Sequence, residues 1–195
     1  ILDHIGISYT EVDDEAAFYG PKLDVQFTNV FGKEDTLFTV QIDFALAERF
    51  DMNYIDADGQ KKRPYIIHRS SIGCYERTLA MLIEKYAGAL PMWIMSEQVR
   101  LLSVTDRAAD YCSAYAEALG AVGVRATVDD RQEKIGYKIR EARMERIPYM
   151  LVAGDREVEN GTFAVRKRGV GEMGSMADDE LLALLQKEVE EKIIF

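Results

Sequence analysis

The sequence predicts an α/β chain in two unlike units, an antiparallel sheet with helices (α+β) followed by a mixed, largely parallel sheet with helices on both faces. Three observations predict it. Apolar and polar residues alternate with period two over two early stretches, which marks strands with one buried face. Beyond residue 98, strand-like and helix-like patterns take turns, as in a sheet wound with helices. The charge shifts at the same place: residues 1–97 carry 9 basic and 16 acidic side chains, residues 98–195 carry 15 and 18. The change falls in "GALPMWIMSEQ", so the units are set at 1–97 and 98–195.

In the first unit, "KLDVQFTNV" (22–30) sets Leu23, Val25 and Phe27 against Asp24, Gln26 and Thr28. "TLFTVQIDF" (36–44) sets Phe38, Val40, Ile42 and Phe44 against Thr39, Gln41 and Asp43. "FGKED" is the hairpin turn between them, and "DADGQ" (56–60), with its Asp-Gly pair, is a second such turn. The sheet therefore shows a polar face of amides, hydroxyls and carboxylates. Alternation alone favours a plain solvated face, and the same groups also suit a pocket for a small polar ligand. An apolar strand pattern, "PYIIHRSS", then changes to a helix pattern at Gly73. The helix is expected over 74–90, burying Tyr75, Leu79, Leu82, Ile83, Tyr86 and Leu90.

The second unit opens with strand 98–104 and helix 106–119, capped by Thr105 or Asp106 and closed by Gly120. Strand 124–129, helix 134–147, strand 149–154 and strand 161–168 follow, with Pro148 stopping the second of those helices. Ser175 and Asp178 have the spacing of a capping box for a last helix.

Composition excludes some functions. The 195 residues carry a net charge of −10, so nucleic acid would have to be held by a local basic stripe and not by global charge. Such a stripe exists: residues 131–146 hold Arg131, Lys134, Lys138, Arg140, Arg143 and Arg146 against Glu133, Glu141 and Glu145, and "RKR" (166–168) adds to it. On composition alone, a solvated helix with neighbouring ion pairs Glu141–Arg140 and Glu145–Arg146 is the better account of it. Two cysteines, Cys74 and Cys112, make no disulfide framework and fit a reducing, cytoplasmic setting. No apolar run reaches the roughly 18 residues of a membrane span, and no membrane partner is expected.

Two residues of "HRSSIGCYER" (68–77) stand out. Arg77 falls in the first turn of its helix and off the apolar stripe, at the end where the dipole is already positive. A surface ion pair would explain it. So would an anion, since open N–H groups, a dipole and a guanidinium fork together suit a phosphate. His68 is one of two histidines, and no Cys or His lies nearby in sequence to complete a zinc site.

The blocks "AAFYGPKLD", "TVQIDFALAERF", "RPYIIHRSSIGCYERTLAMLIEKYAGALP", "DDRQEKIGYKIREA", "IPYMLVAGDREVENGTFAVR" and "GSM" stand in the order and spacing of one family. Over essentially its whole length the chain resembles bacterial threonyl-tRNA synthetases, a class II family. The resemblance implies a partial class II antiparallel sheet, the end of a catalytic domain, followed by a five-stranded mixed α/β anticodon-binding domain. It implies ATP-dependent activation of threonine to threonyl-adenylate and transfer to tRNA-Thr, in an enzyme that is a homodimer when intact; the isolated fragment is consistent with a monomer. Arg77 matches the residue that holds the γ-phosphate of ATP, which is used with Mg2+. His68 matches one ligand of a zinc ion that binds the amino group and hydroxyl of threonine. Such a metal rejects isosteric valine, which a hydrophobic pocket separates poorly. Tyr19 and Lys22 match residues lining the threonyl-adenylate site, and Thr39 and Gln41 match groups on the adenylate. Gln132, Lys134 and Arg140, with Glu157 and Arg166 on adjacent strands, match the anticodon-reading segment.

The chain departs from the family at Cys74, commonly Ser, and at Gln132, commonly Asn. The remaining zinc ligands and class II signatures of the family belong upstream of Ile1, so this stretch by itself is expected to be inactive. The alternative is a non-catalytic, synthetase-like tRNA- or RNA-binding module. Intact Tyr19, Lys22, Gln41, His68 and Arg77 favour the enzyme.

Overall fold

The structure is a computed structural model that describes residues 1–194. It divides into two compact units, Ile1–Lys85 and the chain from Tyr86 onward. The connector 86–97 therefore packs with the second unit. Gln98 Nε2 donates to the Met92 carbonyl at 2.9 Å, and Arg125 Nη2 donates to that of Met95 at 2.7 Å.

In the first unit the elements are β1 (Lys22–Thr28), β2 (Glu34–Asp43), α1 (Leu46–Arg49), β3 (Tyr54–Ile55), β4 (Lys61–Lys62), β5 (Ile66–Arg69) and α2 (Tyr75–Lys85). Asn29 makes the first turn, its Oδ1 accepting from the N–H groups of Phe31 and Lys33. The Asp-Gly turn joins β3 to β4 as expected. The main sheet runs β1–β2–β5, all antiparallel. Register places Lys22, Gln41 and His68 in one row across it, with Asp24 opposite Thr39.

Two expectations fail here. The apolar face of the sheet is not closed: Leu23 is 40% exposed, Ile42 38% and Phe44 50%. Helix α2 ends at Lys85 and buries no residue, leaving Tyr75 77% exposed, and Leu79 and Ile83 open as well. Ala47 is the one apolar side chain buried in this unit among the described residues. Periodicity reports which face of an element is apolar, not whether a second layer exists to cover it. Three strands and one short helix do not make that layer.

The second unit contains β6 (Val99–Ser103), α3 (Asp106–Ala121), β7 (Ala126–Asp129), α4 (Ile135–Met144), β8 (Tyr149–Ala153), α5 (Asp155–Asn160), β9 (Thr162–Lys167), β10 (Gly171–Ala177) and α6 (Asp178–Glu190). The sheet is five-stranded and mixed, in order β10–β9–β8–β6–β7: β7, β6 and β8 are parallel, and β9 and β10 antiparallel. One face packs Val99, Leu101, Tyr149, Leu151 and Phe163 against residues of α3 and α6 such as Leu119, Leu181 and Leu185. The other packs Leu102 and Met150 against Ala142 of α4 and Ile147.

Thr105 caps α3 as expected, accepting from Ala108 N–H. That helix runs past Gly120 to Ala121, and Gly123, at φ 81°, makes the exit. The Ser175–Asp178 capping box does not form. Ser175 lies in β10, opposite Ala164 of β9, and α6 begins at Asp178. A segment with two glycines in six residues, "GEMGSM", carries little strand propensity, so long-range pairing decides its state. Helix α5 also escapes sequence reading; Glu157 holds its start by accepting from Gly154 N–H at 2.9 Å.

Candidate active-site face and nucleic-acid interface

The polar face of β1–β2–β5 is an interlocked set. Tyr19, just before β1, donates its phenol hydrogen to Gln41 Oε1. Its ring lies 5.7 Å from the His68 imidazole, centroid to centroid. Gly20 permits this approach, since a Cβ there would meet the Ile42 carbonyl oxygen at 2.1 Å. Lys22 Nζ pairs with Asp24 Oδ2 at 2.8 Å, and Thr39 Oγ1 donates to Asp24 Oδ1 at 2.7 Å. His68 Nε2 lies 2.8 Å from Asp43 Oδ2, and Asp43 is fully buried. The other carboxylate oxygen of Asp43 accepts from the N–H groups of Ala45 and Leu46 at 2.8 and 2.9 Å, tying the histidine to the start of α1.

Charge follows these contacts. Burial pushes the Asp24 carboxyl up, but the Lys22 ammonium and the Thr39 hydroxyl outweigh it and hold it below the usual carboxylate range. Burial likewise opposes ionisation of Asp43, and His68 with two backbone N–H groups reverses the balance. Lys22 is raised, through its hydrogen bond to Asp24. The face thus offers amide, hydroxyl, phenol and imidazole groups in fixed directions. Tyr19, Lys22, Thr39, Gln41 and His68 come together, as the sequence predicts. Asp24 and Asp43 are the partners it misses. Their alternation with Leu23 and Ile42 was the available signal, since it sets them on the same face.

Arg77 stands in the first turn of α2, exposed. Its Nη1 donates to the Thr36 carbonyl on β2 at 2.9 Å, and among the described residues it has no carboxylate partner. Neighbouring Glu76 instead accepts from Cys74 Sγ at 2.8 Å. Gly73 sets the helix against β2: its φ is 66°, and a Cβ would fall 2.2 Å from the Leu37 carbonyl oxygen. Thr36 and Gln41 lie five residues apart on one strand, about 17 Å at the usual rise. That length suits an extended ligand with phosphates at the Arg77 end.

In the second unit the basic stripe is regrouped. Lys138 is 1% exposed, so it is no part of a surface patch. Arg131 makes two bonds to Asp129 (2.9 and 2.7 Å) and one to Glu141 (2.5 Å). Glu145 pairs with Arg100 at 2.5 Å. The neighbour pairs Glu141–Arg140 and Glu145–Arg146 do not form. The "RKR" segment is also used internally: Arg166 pairs with Glu172, Lys167 with Glu188, and Arg168 donates to backbone carbonyls of Arg146, Ala89 and Leu90. A side chain commits to a partner by three-dimensional register, which composition does not carry. Gln132, Lys134, Arg140 and Arg143 remain exposed, without acidic partners among the described residues. Gln132 and Lys134 follow the end of β7, and Glu157 follows the end of β8, so all three sit at the carboxyl edge of the parallel strands, where open α/β sheets take ligands. Arg166 pairs with Met150 near the opposite end of β8, on the face covered by α4. The structure gathers the first three and sets Arg166 apart from them.

Residues 1–86 match the family model described as the tRNA synthetase class II core domain (G, H, P, S and T), and residues 98–188 match the anticodon binding domain. A threonine–tRNA ligase of Clostridium perfringens (strain 13 / Type A) is 67% identical over 176 residues, 90% of this chain. The chain is a homologue of the threonine–tRNA ligases. The ligase of Clostridium botulinum (strain Eklund 17B / Type B) is 62% identical over 192 residues, and that of Geobacillus kaustophilus 50%. Among solved structures, the RNA binding domain of threonyl-tRNA synthetase from Cryptosporidium parvum superposes with a TM-score of 0.83 at 30% identity, covering 95% of this chain and 47% of that one. The chain spans 27 to 30% of the length of the two clostridial ligases.

The resemblance implies a zinc ion held by three protein ligands, of which His68 would be one. Among the described residues no cluster of three or more His, Cys, Asp or Glu side chains is placed to hold a metal. One ligand of such an ion would fit the observed contact, since Asp43 engages Nε2 and the other ring nitrogen of His68 has no protein hydrogen bond among the described residues. Among the described residues no helix is long and apolar enough to cross a membrane.

Proposed function

We propose that this chain is a portion of a threonine–tRNA ligase, joining the end of the class II catalytic domain to the anticodon-binding domain. The observation that carries this is the assembly of Tyr19, Lys22, Thr39, Gln41 and His68 on one polar sheet face, residues that sequence separates but register unites. In this reading Gln41, Thr39, Tyr19 and Lys22 hold threonyl-adenylate, and Arg77 grips the γ-phosphate of Mg2+-bound ATP. His68 supplies one zinc ligand, oriented by Asp43, and the remaining ligands come from the length of the relatives that this chain does not span. Zinc, when bound, lets the site demand a hydroxyl on its substrate. Gln132, Lys134, Arg140 and Glu157 read the anticodon of tRNA-Thr, while Arg166, set apart and paired with Glu172, joins them only on the strength of the resemblance. The intact enzyme works as a homodimer in the cytoplasm.

The test uses the chain as it stands. It is expected to bind a threonine anticodon stem–loop in preference to one with substituted anticodon bases, and to show no threonine-dependent ATP–pyrophosphate exchange. Exchange by these 195 residues, or equal binding of both RNAs, contradicts the assignment.

A further inference from the structure

Lys138 lies where an apolar residue belongs. Ile135, Ile139 and Ala142 of α4 all pack into the core around Leu102 and Met150, and position 138 shares their face of the helix. Yet it is a lysine and 1% exposed. Burying an ammonium is expensive unless all its donors are met. Here Nζ donates to the carbonyls of Ser103 and Asp129 at 2.9 Å each and stands 3.8 Å from Asp129 Oδ1. Ser103 ends β6 and Asp129 ends β7, so these carbonyls lie where the ladder gives out. Asp129 passes the interaction on to Arg131 by the two bonds described above, and Arg131 reaches Glu141, one turn beyond Lys138 on α4. Together these contacts tie the end of β7 to α4 at two places, across the connecting segment 130–134. Within that segment, the side chains of Gln132 and Lys134 face solvent with no protein partner among the described residues.

We infer that Lys138 is a positioning residue for RNA reading: from within the core, and without touching RNA, it holds segment 130–134 in the shape that lets Gln132 and Lys134 discriminate bases. The inference rests on the anticodon-binding reading above. A lysine serving only as a bolt for the fold would change stability and nothing else. A positioning lysine controls base discrimination, while phosphate attraction, carried by exposed cations such as Arg140 and Arg143, persists.

The experiment measures binding of the whole chain to a threonine anticodon stem–loop and to the same stem–loop with its anticodon bases substituted, well below the melting temperature and over a series of salt concentrations. For Lys138→Met the preference for the cognate loop is expected to fall about ten-fold or more, with the salt dependence unchanged. Amide exchange is expected to quicken at 130–134 and not across the sheet. Asp129→Asn, which keeps the shape and the backbone carbonyl, is expected to shift preference the same way and decides the matter if Lys138→Met does not fold. Wild-type preference retained in the folded variants overturns the inference and leaves the anticodon reading standing. Absence of preference in the wild type overturns both.

Discussion

A guanidinium in the first turn of a helix meets the positive end of the dipole, and among the described residues no carboxylate pairs with Arg77, although Glu76 stands in the same turn. Its single hydrogen bond goes to a neutral carbonyl, and Glu76 is turned to Cys74. The arrangement is open to an anion. Arg140 is the matching case in the second unit, exposed and without the Glu141 partner that composition suggests. Arg140→Ala is expected to weaken stem–loop binding by about 1–3 kcal/mol if the side chain reads a base edge. Unchanged affinity in a filter-binding or calorimetric titration removes it from the interface. Much of this was legible in the letters. Strand alternation alone put Thr39 and Gln41 on one polar face, and there they stand. Asp24 and Asp43 were visible as polar, not as partners, because cross-strand register settles which groups meet. Lys138 was misread as surface charge because a count of basic residues ignores helix phase. Ile135, Ile139 and Ala142 carried the correction.

At the scale of elements, α2 is held by what meets β2 at its start. Gly73 sits at positive φ with the Leu37 carbonyl in contact, and Arg77 bonds to the Thr36 carbonyl beside it. Gly73→Ala is expected to destabilise this junction by more than about 1 kcal/mol, read as faster amide exchange at 74–80. Exchange unchanged there means that the helix start does not depend on the close approach. Helix α4 depends on charge instead. Arg131 holds the Asp129 carboxyl below its usual range, ahead of the opposing effect of burial. A depressed folded value means that stability is fully present above the unfolded value near 3.9 and is lost as pH falls below it. The melting temperature is therefore expected to hold from pH 7 to about 5 and to drop below about 4, by more in the wild type than in Asp129→Asn. Equal acid sensitivity of the two removes Asp129 from the balance. Elements with strong local signals were readable in sequence. Strand β10 and helix α5 were not, because one takes its state from pairing with β9 and the other spans only six residues.

Over the whole molecule the two units differ in kind. The second closes a core on both faces of its sheet, while the first leaves its apolar face open and buries a carboxylate, Asp43, more completely than most of its hydrophobic residues. Such a unit carries positioned chemistry without the layer that would finish it, in keeping with a chain that spans less than a third of the length of its clostridial relatives. Amphipathic patterning could announce the open face but not what lies against it. In the proposed function the Lys22–Gln41–His68 row and Arg77 are part of one site that activates threonine. The most direct measurement is threonine-dependent ATP–pyrophosphate exchange by the full-length protein that contains this segment, compared with its His68→Ala and Arg77→Ala variants. Exchange is expected with threonine but not valine, reduced roughly 100-fold or more by Arg77→Ala through loss of phosphate contact and abolished by His68→Ala. Exchange that persists at the wild-type rate in both variants contradicts the proposed function.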